Sequence, residues 1–251
     1  MYKFYIKTKE EIEIIRECGQ KLARIKKVLF AKVGEGVKAD EIETLASELI
    51  KKERAEASFK RVPGYSWATC VNVNAGLVHG IPQKEIVFKK RDIVSVDLGL
   101  LYKSFNTDCS FTKGIGVSPE SVRFLKAGRE ALGKAIQAAR TGNRIYDISE
   151  AIEKTITSYG YSPIRALVGH GVGKNLHEDP PIPCFLPGKK EESMLIPDGA
   201  VLAIEVMYAL GKPDLVRESD GWTISTRDGK ISALFEETVA VTKDGPMVLT
   251  T

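Results

Sequence analysis

The sequence predicts an α/β (α+β) protein made of two pseudo-symmetric halves, each a helix pair with strands, around a central antiparallel sheet. Two helical hairpins recur along the chain: aligning CGQKLARIKKVL with AGREALGKAIQA offsets them by 109 positions, and aligning Ile42 with Ile148 offsets them by 106. Strand-length apolar runs accompany each hairpin, and single acids interrupt those runs. Such a duplication packs its halves about a pseudo-twofold axis and puts a site at their junction, where chemistry from both converges.

The elements follow in order. Thr8 and Glu11 stand in capping-box spacing, and Ile12, Ile15, Leu22, Ile25 and Leu29 recur at helical intervals, so a first helix runs until Gly34 or Gly36. Asp40 with Glu43 opens a second, carrying Ile42, Leu45, Leu49 and Ile50, ahead of strand-like WATCVNVN at residues 67–74. Ser118-Pro119 pairs a cap with proline at the first helical position, and a stripe from Val122 through Leu125, Leu132 and Ile136 ends near Gly142. The fourth helix runs from about Asp147 to Gly160. The reading is of one domain spanning residues 1–251.

Composition narrows the class. Hydrophobic residues make up 43% of the 251, enough for a full core. The 37 Lys and Arg against 33 Asp and Glu give a net charge of +4, a mild excess that supports a ribosome contact only weakly. Basic doublets are spread along the chain without interleaved aromatics, which reads as solvated faces rather than a specific nucleic-acid site. Cys18, Cys70, Cys109 and Cys184 have no CxxC spacing, so a reduced cytoplasmic protein is expected. No apolar signal region or membrane-length run is present, and no membrane partner is expected.

The chemistry lies in three histidines and four acids. His79 sits in LVHGIP, His170 in VGHGVGKNLH and His177 in NLHEDPP, and these are all the histidines of the chain. Asp97, Asp108, Glu205 and Glu236 each break an apolar strand, where an acid needs a pairing partner or a metal ion. Oxygen and imidazole donors without a cysteine cluster suit divalent transition ions, and hence a metal-dependent hydrolase. The position numbers of Asp97 and Asp108 total 205, so in a hairpin turning at Tyr102 and Lys103 they lie opposite one another on one face. The glycines beside His170 leave room for backbone, ion or peptide against the ring. Glu178-Asp179-Pro180-Pro181 after His177 rules out a helical HExxH pair. Val201, Ala203 and Glu205 share one strand face, while Glu236 and Glu237 point to opposite faces, so only one of the latter pair reaches a site.

VHGIP, VSVDLGL, NTDCSFT, GHGVGKNLHEDP, AIEVM and FEETVAVT, in that order, resemble type I methionine aminopeptidases, of the pita-bread fold shared with prolidase and creatinase. The resemblance runs from about residue 8 to 250. It implies two divalent ions, Co, Mn, Fe, Zn or Ni, on Asp97, Asp108, His170, Glu205 and Glu236. It also implies Glu205 as general base and then acid, His177 supporting the carbonyl oxygen and His79 contacting the scissile amide nitrogen. The methionine pocket maps to Phe59, Tyr65, Cys70, Leu176 and Trp222, with Phe59 read first as core and Trp222 as an exposed loop aromatic. Substrates would be N-terminal Met peptides and nascent chains with a small second residue, cleaved by a cytoplasmic monomer. Val206 in place of a proline is expected to loosen its strand, and Glu237 stands in place of a histidine. Val62, in place of an aromatic, bears on strictness for methionine. A type II enzyme would carry a long helical insertion between the Glu205 and Glu236 regions or upstream of them, and the 31 positions that separate these glutamates make type I the preferred reading. The rivals are another pita-bread peptidase cutting before proline, which would carry an extra N-terminal domain and further histidines, and a non-catalytic ribosome-associated binding protein.

Overall fold

Helix α1 (Lys9–Lys32) starts where its caps direct: the Thr8 hydroxyl accepts from the Glu11 N–H, and the Glu11 carboxylate accepts from the Thr8 N–H. In the computed structural model, which describes residues 2–251, α1 buries Ile15, Leu22, Ile25 and Leu29. Helix α2 (Ala39–Lys52) starts earlier than expected. Its cap is Lys38, whose N–H is accepted by Glu41. Glu43 instead reaches across to strand β2 (Thr69–Val73), accepting from the N–H groups of Ala68 and Thr69 at 2.9 Å each. Ser118 and Pro119 open α3 (Pro119–Ala138) as expected. Helix α4 (Ile145–Ser158) also starts two residues early, because Asp147 accepts from the Arg144 N–H as the third helical residue rather than the cap. Helices α2 and α4 are both 14 residues long and start at equivalent positions of the repeat.

The other strands are β1 (Glu56–Ala57), β3 (Gly76–Val78), β4 (Ile93–Tyr102), β5 (Phe105–Gly114), β6 (Ser162–Pro163), β7 (Val168–Gly171), β8 (Glu178–Pro183), β9 (Val201–Ala209), β10 (Leu215–Arg217), β11 (Ile224–Thr226), β12 (Ser232–Thr242) and β13 (Gly245–Val248). The main sheet has the order β1-β4-β5-β12-β9-β7-β8, with β2 beside β4, β6 beside β9 and β13 beside β12. Every pairing in it is antiparallel. Strands β10, β11 and β3 form a separate small sheet.

The two halves meet at the seam between β5 and β12, which pair directly only at Ser110 and Glu236. On either side a threonine replaces the missing ladder bonds. The Thr238 hydroxyl accepts from the Asp108 N–H (2.9 Å) and donates to the Asp108 carbonyl (2.7 Å). The Thr112 hydroxyl does the same for Leu234, accepting at 3.2 Å and donating at 2.6 Å. Each threonine lies two residues beyond the Ser110–Glu236 pair on its own strand, so a twofold rotation about that pair exchanges the two arrangements. Helices α1 and α2 bury Val94, Val96, Leu98 and Leu100 of β4, and α3 and α4 bury Leu202, Ile204 and Val206 of β9. Both helix pairs therefore cover the same face of the sheet. The odd-numbered residues of β4 and β9, Asp97 and Glu205 among them, project from the other.

Candidate active site

The hairpin that carries the two aspartates turns one position later than the sequence suggests. Lys103 and Ser104 occupy the two-residue turn with φ of 46° and 66°, the paired positive values of a type I′ hairpin without its usual glycine. Partners therefore total 207: Asp97 faces Ser110, and Asp108 faces Gly99. Because the shift is two, the face is preserved, and the aspartates become diagonal neighbours rather than a direct pair.

From Asp97 the register continues across the sheet. Cys70 faces Asp97, Asp97 faces Ser110, Ser110 faces Glu236, and Glu236 faces Glu205. Facing residues of an antiparallel ladder share a side, so this is one row of side chains over five strands, polar from Asp97 onward. Asp108 lies two residues from Ser110, and His170 faces Ala203, two residues from Glu205. All five residues taken as ligands in the sequence thus occupy one patch. Asp108 is 4% exposed and Glu236 2%.

Atoms of Asp108, His170 and Glu236 lie within 4.8 Å of one another, a spacing that an ion with ligand bonds of roughly 2.1 Å draws together. His170 Nδ1 donates to the Gly171 carbonyl at 2.8 Å, which leaves Nε2 with its lone pair. That nitrogen is 3.6 Å from Glu205 Oε1 and 4.0 Å from Asp108 Oδ2, too far for hydrogen bonds. Asp97 Oδ1 and Asp108 Oδ1 are buried without any partner. Buried, unpaired carboxylate oxygens beside an accepting imidazole nitrogen fit a divalent cation.

Electrostatics agree. Burial raises the Asp97 carboxyl to about 7. Burial also pushes Asp108, Glu205 and Glu236 well above the carboxylate range, with neighbouring carboxylates as the second cause in each. Burial lowers His170 to about 3, so the ring is neutral at pH 7 and competent as a ligand.

A cavity of about 160 Å³ opens over this patch and collects every residue singled out in the sequence: Phe59, Tyr65, Cys70, His79, His177, Leu176 and Trp222 line it with the five. Val62 and Val78 complete the wall. Two expectations change. Phe59 is cavity wall as well as core, and Trp222 is half-buried rather than exposed, packed edge-on against Tyr65 at 5.1 Å. Asp220 holds the Trp222 loop by accepting from the N–H groups of Trp222 and Thr223 at 2.8 Å each. His79, at φ 58° directly after β3, and His177 are exposed at the mouth. Burial within the cleft walls lowers the pKa of both, and for His79 the charges of His177 and Arg217 add to it.

The glycines around His170 make room for protein, not ligand. A Cβ at Gly171 would meet the Asp179 carbonyl at 2.3 Å, and one at Gly173 would meet the Lys7 side chain at 2.5 Å. Lys7 escaped the sequence reading. Its ammonium reaches Glu178 Oε2 at 2.5 Å with both side chains buried, and Glu178 Oε1 accepts from the Asn175 N–H. Asn106 Nδ2 donates to the Gly173 and Lys174 carbonyls at 3.0 Å each. The segment bearing His177 is fastened from both sides. Thr238 and Ser110 were likewise missed, because nothing in a strand sequence marks a seam. Val206 does not loosen its strand: it faces Phe235 in an unbroken β9–β12 register from Ser232 to Ala240. Glu237 points to the helix side and pairs with Lys26 at 2.6 Å.

The sequence profile of metallopeptidase family M24 matches residues 13–243. The chain belongs to family M24, among its methionine aminopeptidases. A methionine aminopeptidase of Clostridium acetobutylicum is 37% identical over 246 residues, covering 98% of each chain. The crystal structure of a Thermotoga maritima methionine aminopeptidase superposes with a TM-score of 0.96 at 40% identity, covering 99% of this chain and 100% of that one. A prolidase of Pyrococcus furiosus shares the pita-bread fold at a TM-score of 0.79 and 25% identity, and this chain covers 65% of it. As an M24 peptidase with the donor cluster above, the protein uses divalent metal. Among the described residues, no helix is long and apolar enough to cross a membrane.

Proposed function

We propose that this M24 protein removes the N-terminal methionine from peptides and nascent chains by hydrolysing the first peptide bond, with preference for a small second residue. The observation that carries the proposal is the single row across β4, β5, β12 and β9 that aligns Asp97, Ser110, Glu236 and Glu205 beneath an apolar cavity. In this reading Asp97, Asp108, His170, Glu205 and Glu236 hold two divalent ions. Bound there, the ions supply Lewis acidity to the scissile carbonyl and acidify the attacking water. Glu205 takes the proton from that water and delivers it to the departing amine as the carbon–nitrogen bond breaks, a task suited to a carboxyl raised by burial. His177 supports the carbonyl oxygen as charge develops, and His79 contacts the amide nitrogen. Phe59, Tyr65, Cys70, Leu176 and Trp222 receive the methionine side chain. A cytoplasmic monomer that works near the ribosome completes the reading.

Purified protein, chelated and then reloaded with Mn, Fe, Co, Zn or Ni, should release methionine from Met-Ala and Met-Gly peptides and leave Leu-Ala and Xaa-Pro peptides intact. Glu205→Ala should lose on the order of 10²–10⁴-fold in rate. Cleavage confined to Xaa-Pro peptides would place the protein with the prolidases. Folded protein that releases methionine with none of these metals would stand as a binding protein.

A further inference from the structure

Beside the catalytic cavity lies a larger depression of about 710 Å³, and the two share Val62 and Leu176 as a common wall. Its lining carries four cations, Arg54, Arg61, Lys103 and Lys174, against one carboxylate, Glu56. All four cations are exposed. Arg54 has no ion-pair partner among the described residues. Arg61 pairs with Glu56 at 3.1 Å, but with side chains 64% and 68% exposed the bond adds little and leaves the guanidinium free to exchange partners. Lys103 and Lys174 meet Glu17 (2.8 Å) and Glu11 (3.7 Å), which lie outside the depression.

The catalytic cavity has room on the scale of one side chain, so the remainder of a bound peptide must continue out of it. Val62 and Leu176 border both spaces, so the basic depression is directly adjacent to the cavity. We propose that this depression is the path of the substrate from its third residue onward, and that it favours peptides carrying acidic residues there. The proposal rests on the aminopeptidase reading and narrows the substrate class of that site. A nucleic-acid strand fits the same charge less well, because strand binding draws on stacked aromatic side chains and Tyr102 alone of the lining supplies a ring.

The experiment compares kcat/KM for the C-terminal amide of Met-Ala-Ser, which brings no carboxylate to the depression, with that for six-residue peptides beginning Met-Ala and carrying either Glu-Glu or Lys-Lys at positions three and four. At low salt the acidic hexapeptide should exceed the basic one by about fivefold, the size of two exposed charge contacts, and the ratio should shrink as salt is raised. Arg54→Glu combined with Arg61→Glu should bring the ratio to unity or reverse it, while tripeptide turnover, which reports folding and chemistry, stays unchanged. A ratio that charge reversal does not move would overturn the proposal. So would charge reversal that abolishes cosedimentation with ribosomes yet spares the peptide ratio, since the depression would then be a nucleic-acid contact. If the unmodified protein fails to cleave even the tripeptide, the aminopeptidase reading falls, and that result is distinct from a charge-blind but active enzyme.

Discussion

Asp97, Asp108, Glu205 and Glu236 share one buried patch, and without a cation their mutual repulsion and desolvation work against the fold. Burial places Asp97 at about 7, against an ordinary value of 3.8, and holds the other three well above their ordinary values. A carboxyl raised in the folded state binds more protons there than in the unfolded chain, so stability falls as pH climbs through that window. His170 works in the opposite sense, because its folded value of about 3 lies below the ordinary 6.5 and stability is lost as pH drops through that interval. Above 6.5 the histidine no longer contributes a slope and the carboxyls set the sign. Metal-free protein should therefore lose stability between pH 6.5 and values past 7, and a saturating divalent ion should abolish that loss. Urea unfolding across this range, with and without chelator, measures it.

Lys7 and Glu178 join the first few residues to the strand that follows His177. Lys7→Met leaves a buried carboxylate unpaired and should cost about 3–5 kcal/mol in chemical denaturation. At the seam, Thr238→Val and Thr112→Val each strip two backbone groups of a partner, and each should cost about 1–3 kcal/mol. The pseudo-twofold makes the two losses alike, but only Thr238 bonds the backbone of Asp108. Metal affinity, read by calorimetric titration, should drop for Thr238→Val and hold for Thr112→Val. These strands also show what was legible in the sequence. Alternation assigned the faces of Glu205, Glu236 and Glu237 correctly, because side-chain parity survives any even shift. The turn at Lys103 and Ser104 was misplaced, since neither residue advertises a positive φ. Caps were readable where Thr8 and Ser118 supply hydroxyls and were missed at Lys38 and Arg144, whose own side chains make no cap bond. Lys7, Asn106 and Thr238 act across more than 60 positions of chain, and no local pattern announces a partner so distant.

Each half of the molecule has its own helix pair and its own apolar core, and the proposed ligands divide between them: Asp97 and Asp108 come from the first half, His170, Glu205 and Glu236 from the second. An ion that binds both sides ties the cores together. Loading at 100 times the dissociation constant should add about 2.7 kcal/mol, a rise on the order of 5–10 °C in melting temperature for a chain of this size. The loaded protein is expected to melt in one transition over residues 1–251, and differential scanning calorimetry before and after chelation tests both statements. The same division leaves neither half able to assemble the donor set by itself, in keeping with a fold duplicated around its chemistry.

The threonine-bridged seam also bears on the order of assembly. Ser110 and Glu236 are far apart along the chain, so closing the gap between their strands has a large loop entropy to overcome, while the β4–β5 hairpin and the helix pairs are local. During synthesis the first half can therefore form while the last strand is still unmade. Ability to capture the cation then appears only when β12 docks, which makes the onset of metal uptake a clock for the final step of folding.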